Sequence, residues 1–266
     1  MSLQNCGKFI CQWEALLILS PIRKVLSSIG RHQVRALLMG GQACILYGAA
    51  EFSRDVDFAI FSSDANLAQL GEALAELEAE VIAVPPFSLE HLSRGHAVHF
   101  RCQAPEVAGL RVDVMTKLRG VDEFENLWHR RVTLISDDGT KYEVMSLLDL
   151  VMAKKTQRDK DWPMIRRLVE ADYFSHQDDS NPEQVDFWFA ELRTPELLIE
   201  LASAEPDTAK RLSTKRPILT IAATGDETRL IELLLEEERV EREADRIYWK
   251  PLKAELEKMR QDRLRS

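Results

Sequence analysis

The 266 residues leave room for one large or two ordinary domains. An apolar share of 45% beside 30% charged residues fits a soluble globular protein with a real core, and no internal repeat or low-complexity tract is evident. The net charge of −9 argues against holding duplex nucleic acid by bulk electrostatics, which needs a basic surface, and leaves only a local basic patch open. Cys6, Cys11, Cys44 and Cys102 contain no CxxC pair, so a reducing cytoplasm is expected, with Cys44 a small buried thiol. The apolar run at 15–19 is short, follows Glu14 and lacks a clear small-residue cleavage site. Neither a signal peptide nor a membrane span is expected there, and no membrane partner.

In chain order, 9–29 reads as one or two amphipathic helices, with Pro21 marking a restart. A short strand over 35–39 is broken by Gly40-Gly41, and 42–50 reads as a helix. The loop 51–54 leads to a strand over 56–61. Asp64 suits an N-cap for a helix over 65–80, with Leu67, Leu70, Leu74 and Leu77 at helical spacing. A strand over 81–84 ends at Pro85-Pro86. Strands over 97–102 and 110–115 follow, joined by a turn, and 132–135 and 142–144 add short strands. Helices fall between successive strands, which predicts a mixed sheet of α/β (α+β) class. After Ser146 the chain reads as helix over 146–157, 160–171, 182–192, 195–203 and 206–213, with 176–182 the most loop-like stretch. A charged helix covers 226–249, and Pro251 restarts it to about 264. Two domains are expected, 1–145 carrying the sheet and 146–266 helical.

The chemistry centres on 37–61. Side chains on a strand alternate, so Asp55 and Asp57 share one face while Val56 and Phe58 bury the other. A third carboxylate, Asp113, arrives on a later strand. Three clustered acids repel unless something positive sits among them, and a hard divalent cation with oxygen ligands meets that need. Upstream, Gly40-Gly41 ends a strand, so backbone N–H groups reach a phosphate with no Cβ in the way. The helix that follows turns its N-terminus to the same anion. A glycine turn alone, or an exposed acid pair alone, is common; their combination with Asp113 is what points to a metal–phosphate site.

These residues, Met39-Gly40-Gly41, then Asp55-Val56-Asp57, then Val112-Asp113-Val114, resemble the signature of the DNA polymerase beta-like nucleotidyltransferase superfamily. The resemblance implies a small mixed sheet with flanking helices and a helical partner domain. It implies two magnesium ions held by Asp55, Asp57 and Asp113, with Asp113 also activating the attacking hydroxyl. Gly40 and Gly41 would contact a nucleoside triphosphate. Gly41 stands where many members carry Ser, so a hydroxyl contact to phosphate is absent.

A second motif lies in 149–168. Lys154, Arg158 and Asp161 are spaced to share a helical face if the helix continues, and the cations would offset triphosphate charge. An ordinary solvated helix with ion pairs gives the same pattern. The Lys-x3-Arg-x-Lys-Asp form is similar to a segment of the abortive-infection-type toxin nucleotidyltransferases. In that group the Lys and Arg line the nucleotide pocket and the Asp supports them. The resemblance therefore assigns Lys154, Arg158 and Asp161 to the nucleotide, with Lys155 and Lys160 as alternates. Arg54, directly before the acid pair, is a further nucleotide-binding candidate. His91, His96, His99 and His129 lack metal-ligand spacing and read as structural. His129-Arg130-Arg131 with Lys117 and Arg119 reads as a solvated loop or a local patch for RNA or phosphate. The tail from 226 carries i,i+4 pairs such as Glu238–Arg242, and its apolar residues suggest one packed face.

The resemblance implies transfer of a nucleoside monophosphate to an acceptor hydroxyl on tRNA, a protein or a small molecule, with release of pyrophosphate. A toxin role would bring an antitoxin protein as partner. The alternatives are a catalytically silent nucleotide-binding protein and an aminoglycoside-type enzyme, which the acidic net charge mildly favours while the resemblance around 154–161 pulls the other way.

Overall fold

The computed structural model describes residues 20–135 and 139–265. The chain forms two compact units. The first runs to Ala153 and includes the chain again from Trp249; the second is Lys154–Tyr248. The domain division expected at 145 therefore lies beside a unit boundary at Ala153–Lys154, and the last residues group with the first unit. The helical expectation over 9–19 lies outside the described residues, as do Cys6 and Cys11.

The first unit is a mixed α/β fold around a seven-stranded sheet. Its elements are α1 (Ser20–Arg31), β1 (Ala36–Met39), α2 (Gly40–Leu46), β2 (Asp55–Ile60), α3 (Asp64–Glu76), β3 (Glu80–Val81) and α4 (Leu89–Arg94). Then come β4 (Val98–Arg101), β5 (Arg111–Met115), α5 (Phe124–Arg130), β6 (Val132–Ile135), β7 (Lys141–Val144) and α6 (Leu147–Ala153). The strand order is β3-β4-β5-β2-β1-β7-β6. β2 runs parallel to β5, and β1 parallel to β7; the other neighbours are antiparallel. β1 lies between β2 and β7 and is apolar and buried at every position, as a strand covered on both faces must be. On β2, β5 and β4 the alternation buries Val56, Phe58, Ile60, Val112, Val114, Val98 and Phe100.

Helix α1 buries Ile22, Val25, Leu26 and Ile29, the i, i+3, i+4, i+7 stripe of an amphipathic helix. Its polar side gathers on Glu76 at the end of α3. Lys24 reaches Glu76 at 2.9 Å, Ser28 at 2.9 Å and His32 at 3.2 Å, and Arg31 pairs with it as well. Burial pushes the Glu76 carboxyl up, but the hydrogen bonds from Lys24, Ser28 and Arg31 outweigh it and hold the group down at about 2. Its folded value lies below the ordinary 4.5, so its contribution is complete above about pH 4.5 and is lost as pH falls toward 2. Glu76→Gln is expected to cost about 1 kcal/mol near neutral pH, since these partners are partly solvated. In urea titrations the gap between variant and native chain should narrow from pH 6 to pH 3; a gap that stays constant would contradict the assignment.

Several elements differ from the expected ones. The cap of α3 is Ser63, which accepts from the Asn66 amide, rather than Asp64, and the helix stops at Glu76 instead of 80. The strand expected over 81–84 is only Glu80–Val81. α4 lies where no helix is expected, although it carries both end signals: the Ser88 hydroxyl accepts from the His91 amide, and Gly95 closes it at φ 103°. α5 replaces an expected loop. Phe124 stacks on Trp128 at 5.7 Å, and Arg35 lies over the Phe61 ring at 4.6 Å, so this short helix is fixed by aromatic packing instead of apolar periodicity.

The second unit is helical. It contains α7 (Asp161–His176), α8 (Pro182–Glu191), α9 (Pro195–Ala204), α10 (Pro206–Leu212), α11 (Leu219–Ala222) and the first part of α12 (Glu227–Arg265). Three of these helices start on a proline, which fits a first-turn position because that amide has no partner there. Asn181 and Gln184 form a reciprocal capping box on α8. Trp188, Phe189, Ile165, Leu168, Leu198 and Leu230 fill its core.

The restart expected at Pro251 does not occur: α12 continues through it to Arg265. A proline inside a helix removes one amide bond at a cost of roughly 3 kcal/mol. The turns beyond it are anchored in the first unit. Leu252 is buried, and Glu255 meets Arg94 and His96, each at 2.7 Å. Among the described residues no helix is long and apolar enough to cross a membrane.

Candidate functional site

The acid cluster is built by strand register. In the parallel pair β2–β5, Asp57 stands opposite Asp113 and Asp55 opposite Arg111. In the antiparallel pair β4–β5, His99 also stands opposite Asp113. Because alternate residues share a face, Asp55, Asp57, Arg111, Asp113 and His99 all stand on the one opposite to the Val56–Phe58 side. Neighbouring strands are roughly 4.8 Å apart, which brings these side chains within reach of one another. Asp55 and Asp57 are half-buried, and Asp113 is 7% exposed.

The glycine turn is fitted to this cluster. Met39, the last residue of β1, is the register partner of Asp57. The chain then turns straight into α2, whose first residue is Gly40 at φ 66°. Gly40 and Gly41 are therefore the first turn of the helix itself, not a loop ahead of a helix at 42. A Cβ at Gly40 would lie 2.0 Å from Asp57 Oδ2 and 2.8 Å from Asp57 Cβ. One at Gly41 would lie 2.3 Å from Ser53 Oγ. The buried Gln42 amide donates to the backbone oxygens of Ser53, at 3.2 Å, and Asp55, at 3.4 Å. The turn, the 47–54 connection and the start of β2 thus hold one another in place. Arg54 is exposed in that connection.

Asp113 carries most of the contacts. Its Oδ1 accepts from Arg111 Nε at 2.7 Å and lies 2.9 Å from His99 Nδ1; its Oδ2 accepts from Arg111 Nη2 at 2.8 Å. Burial pushes this carboxyl up, but hydrogen bonds from His99 and Arg111 and their charges outweigh it and hold it below the ordinary range. The Arg111 guanidinium is raised by its bond to Asp113 and by the charges of Asp55 and Asp57.

Three hard oxygen donors on one face fit a divalent cation in type. Among the described residues, however, no three His, Cys, Asp or Glu side chains are grouped closely enough to hold a metal ion. Arg111 occupies both oxygens of the third acid. Neither Arg111 nor His99 was singled out as a site residue from the sequence. Arg111 was within reach, since it lies two residues before Asp113 on the same strand. His99 required the β4–β5 register, which a single sequence does not contain.

Lys154, Arg158 and Asp161 belong to the second unit, where they form one ion-pair group. Asp161 receives Lys154 at 3.6 Å and Arg158 at 2.7 Å, and Thr156 donates to it too. They do not share a continuous helical face. α6 ends at Ala153, 154–160 turns irregularly, and α7 begins at Asp161. Pro163 explains the break: it is tolerated in a first turn and not in mid-helix. Lys154 is buried and Arg158 exposed. Lys155 forms a buried pair with Glu191 at 2.8 Å, and Lys160 is exposed.

The basic run at 129–131 is not a solvated loop. Arg130 ends α5 and pairs with Asp149 at 2.7 Å and Asp122 at 2.8 Å. Arg131 pairs with Glu143 at 2.8 Å and lies over Trp128. These charges are matched internally. Glu238 and Arg242 form the expected i,i+4 pair at 2.7 Å. No protein-family model matches the chain, and no curated protein matches it significantly.

Proposed function

We propose that this chain is a metal-dependent nucleotidyltransferase, moving a nucleoside monophosphate from a nucleoside triphosphate to an acceptor hydroxyl. The observation that carries the reading is the register setting Asp57 opposite Asp113, with Asp55 on the same face and a glycine turn whose Cβ space Asp57 fills. This constellation supports the nucleotidyltransferase-type sheet as the finer fold of the first unit.

Asp55, Asp57 and Asp113 would hold two magnesium ions, whose charge stabilises the phosphoryl oxygens in the transition state when bound. Asp113 would take the proton of the acceptor hydroxyl at a carboxylate oxygen. The freed oxygen bonds to the α-phosphorus, the α–β bridging bond breaks, and pyrophosphate leaves. Gly40 and Gly41 would offer amide donors to the triphosphate. Lys154, Arg158 and Asp161 remain nucleotide partners on the resemblance alone, and Arg54 on its place directly before the acid pair. A cytoplasmic toxin acting on tRNA or protein, checked by an antitoxin, rests on the same ground.

A nucleotide-binding protein without turnover is the second reading, favoured by the Arg111 pair on Asp113. The two part in one assay. The protein is incubated with magnesium, cell extract and each labelled triphosphate in turn. Transfer of label to RNA, protein or a small molecule, with matching pyrophosphate, is expected. Tight nucleotide binding without pyrophosphate release would favour the second reading.

A further inference from the structure

The second unit contains a cavity of about 390 Å³, lined by α7, the connection between α8 and α9, the start of α9 and the first turns of α12. One wall is apolar: Leu234 is buried, while Ile231 and Leu235, one turn apart on α12, are exposed. Another part of the lining is cationic. Arg193, in the connection before α9, has a side chain only 9% exposed. Its Nη1 lies 3.3 Å from Glu237, but Arg216 holds that carboxylate more closely, at 2.8 Å. Two buried arginines therefore share one carboxylate, and the buried Arg193 Nε has no hydrogen-bond partner. Burial and the charge of Arg216 push the Arg193 guanidinium down, and the charges of Glu191, Glu237 and Glu241 do not offset this. An anion in the cavity would relieve the unmet donor. The N-terminus of α9 supplies further donors, with Pro195 and Glu196 in the lining. Thr194 makes no capping bond to this helix; its hydroxyl donates to Glu170 instead. The first-turn amides are left for another acceptor, and the helix dipole favours a negative one.

We propose that this cavity binds a small organic monocarboxylate, its carboxylate on the Arg193 guanidinium and the α9 amides and its apolar body along Ile231, Leu234 and Leu235. A cavity of this size with an apolar wall and a few convergent polar groups is the ordinary form of a small-molecule site. Glu196 and Glu238 also line it and would repel a polyphosphate, so the ligand carries a single charge.

Calorimetric titration of the full chain with octanoate tests this, with octanamide as the neutral match. Octanoate is expected to fill one saturable site with a Kd on the order of 0.1–1 mM, as its size allows, and octanamide to bind at least about tenfold more weakly. Arg193→Met should remove the difference by lowering octanoate to the level of octanamide. Glu237 keeps Arg216 in this variant, so no carboxylate is stranded. Leu235→Glu places a like charge on an exposed part of the wall, where folding is not at stake, and should weaken octanoate by at least about tenfold. Inorganic phosphate at equal concentration should not displace octanoate; displacement would overturn the single-charge assignment. Octanoate binding no tighter than octanamide, or unchanged in folded Arg193→Met, overturns the carboxylate site. Unchanged binding in Leu235→Glu puts the ligand elsewhere and overturns the cavity. If Arg193→Met does not fold, the octanoate–octanamide comparison and Leu235→Glu decide.

Discussion

Asp57→Asn is expected to lower nucleotidyl transfer by at least about a thousandfold while the protein keeps its fold. The residue sits at the centre of the site: opposite Asp113 in the β2–β5 ladder, opposite Met39 in the β1–β2 ladder, and against the backbone of Gly40. Asparagine has the same shape, so the packing on Gly40 survives. The charge and one acceptor oxygen are lost, and the charge is what a divalent cation requires. Removing one of three neighbouring negative charges also relieves repulsion, so the melting temperature should hold or rise. Lost activity with undiminished stability separates a functional acid from a structural one. Circular dichroism melts and pyrophosphate release on the same preparation check this. Retained transfer with retained magnesium dependence would contradict the assignment.

The second large effect concerns stability. Gly40→Ala should destabilise the protein by about 2–5 kcal/mol, a sizeable share of the whole for an ordinary domain. Two costs add. A φ of 66° disfavours any Cβ, and the Cβ introduced there would meet Asp57 Oδ2 at 2.0 Å and its Cβ at 2.8 Å. Gly48 separates the two. It has φ 72° with nothing within 4 Å of its Cβ position, so Gly48→Ala carries the backbone cost alone, about 1 kcal/mol. Urea titration of both variants should rank Gly40→Ala clearly below Gly48→Ala. Equal losses would mean that the turn and Asp57 are not packed as described.

What was legible in the sequence follows from what is local. The alternation in Asp55–Ile60 gives strand and face at once, and the same logic carries to Asp113. The mixed sheet and the helix-rich remainder follow from counting such patterns. Three features were hidden because they depend on distant partners or competing local terms. His99 enters the cluster through pairing between strands, which no single strand reveals. The break after Ala153 comes from Pro163, ten residues on, whose needs override the helical spacing of Lys154, Arg158 and Asp161. Conversely, Pro251 is carried inside α12 because Leu252 and Glu255 are held by tertiary contacts, and tertiary packing outweighs a local breaker. Gly40 breaks β1 as its residue type predicts, but the reason is more specific than a turn: Gly40 leaves the volume into which Asp57 fits.

The central claim is that Asp55, Asp57 and Asp113 form a magnesium-dependent triphosphate site. Calorimetric titration of the protein with each nucleoside triphosphate, with and without magnesium, tests it most directly. Binding should require magnesium and disappear in Asp57→Asn. Equal binding with and without magnesium, unchanged in Asp57→Asn, would contradict it.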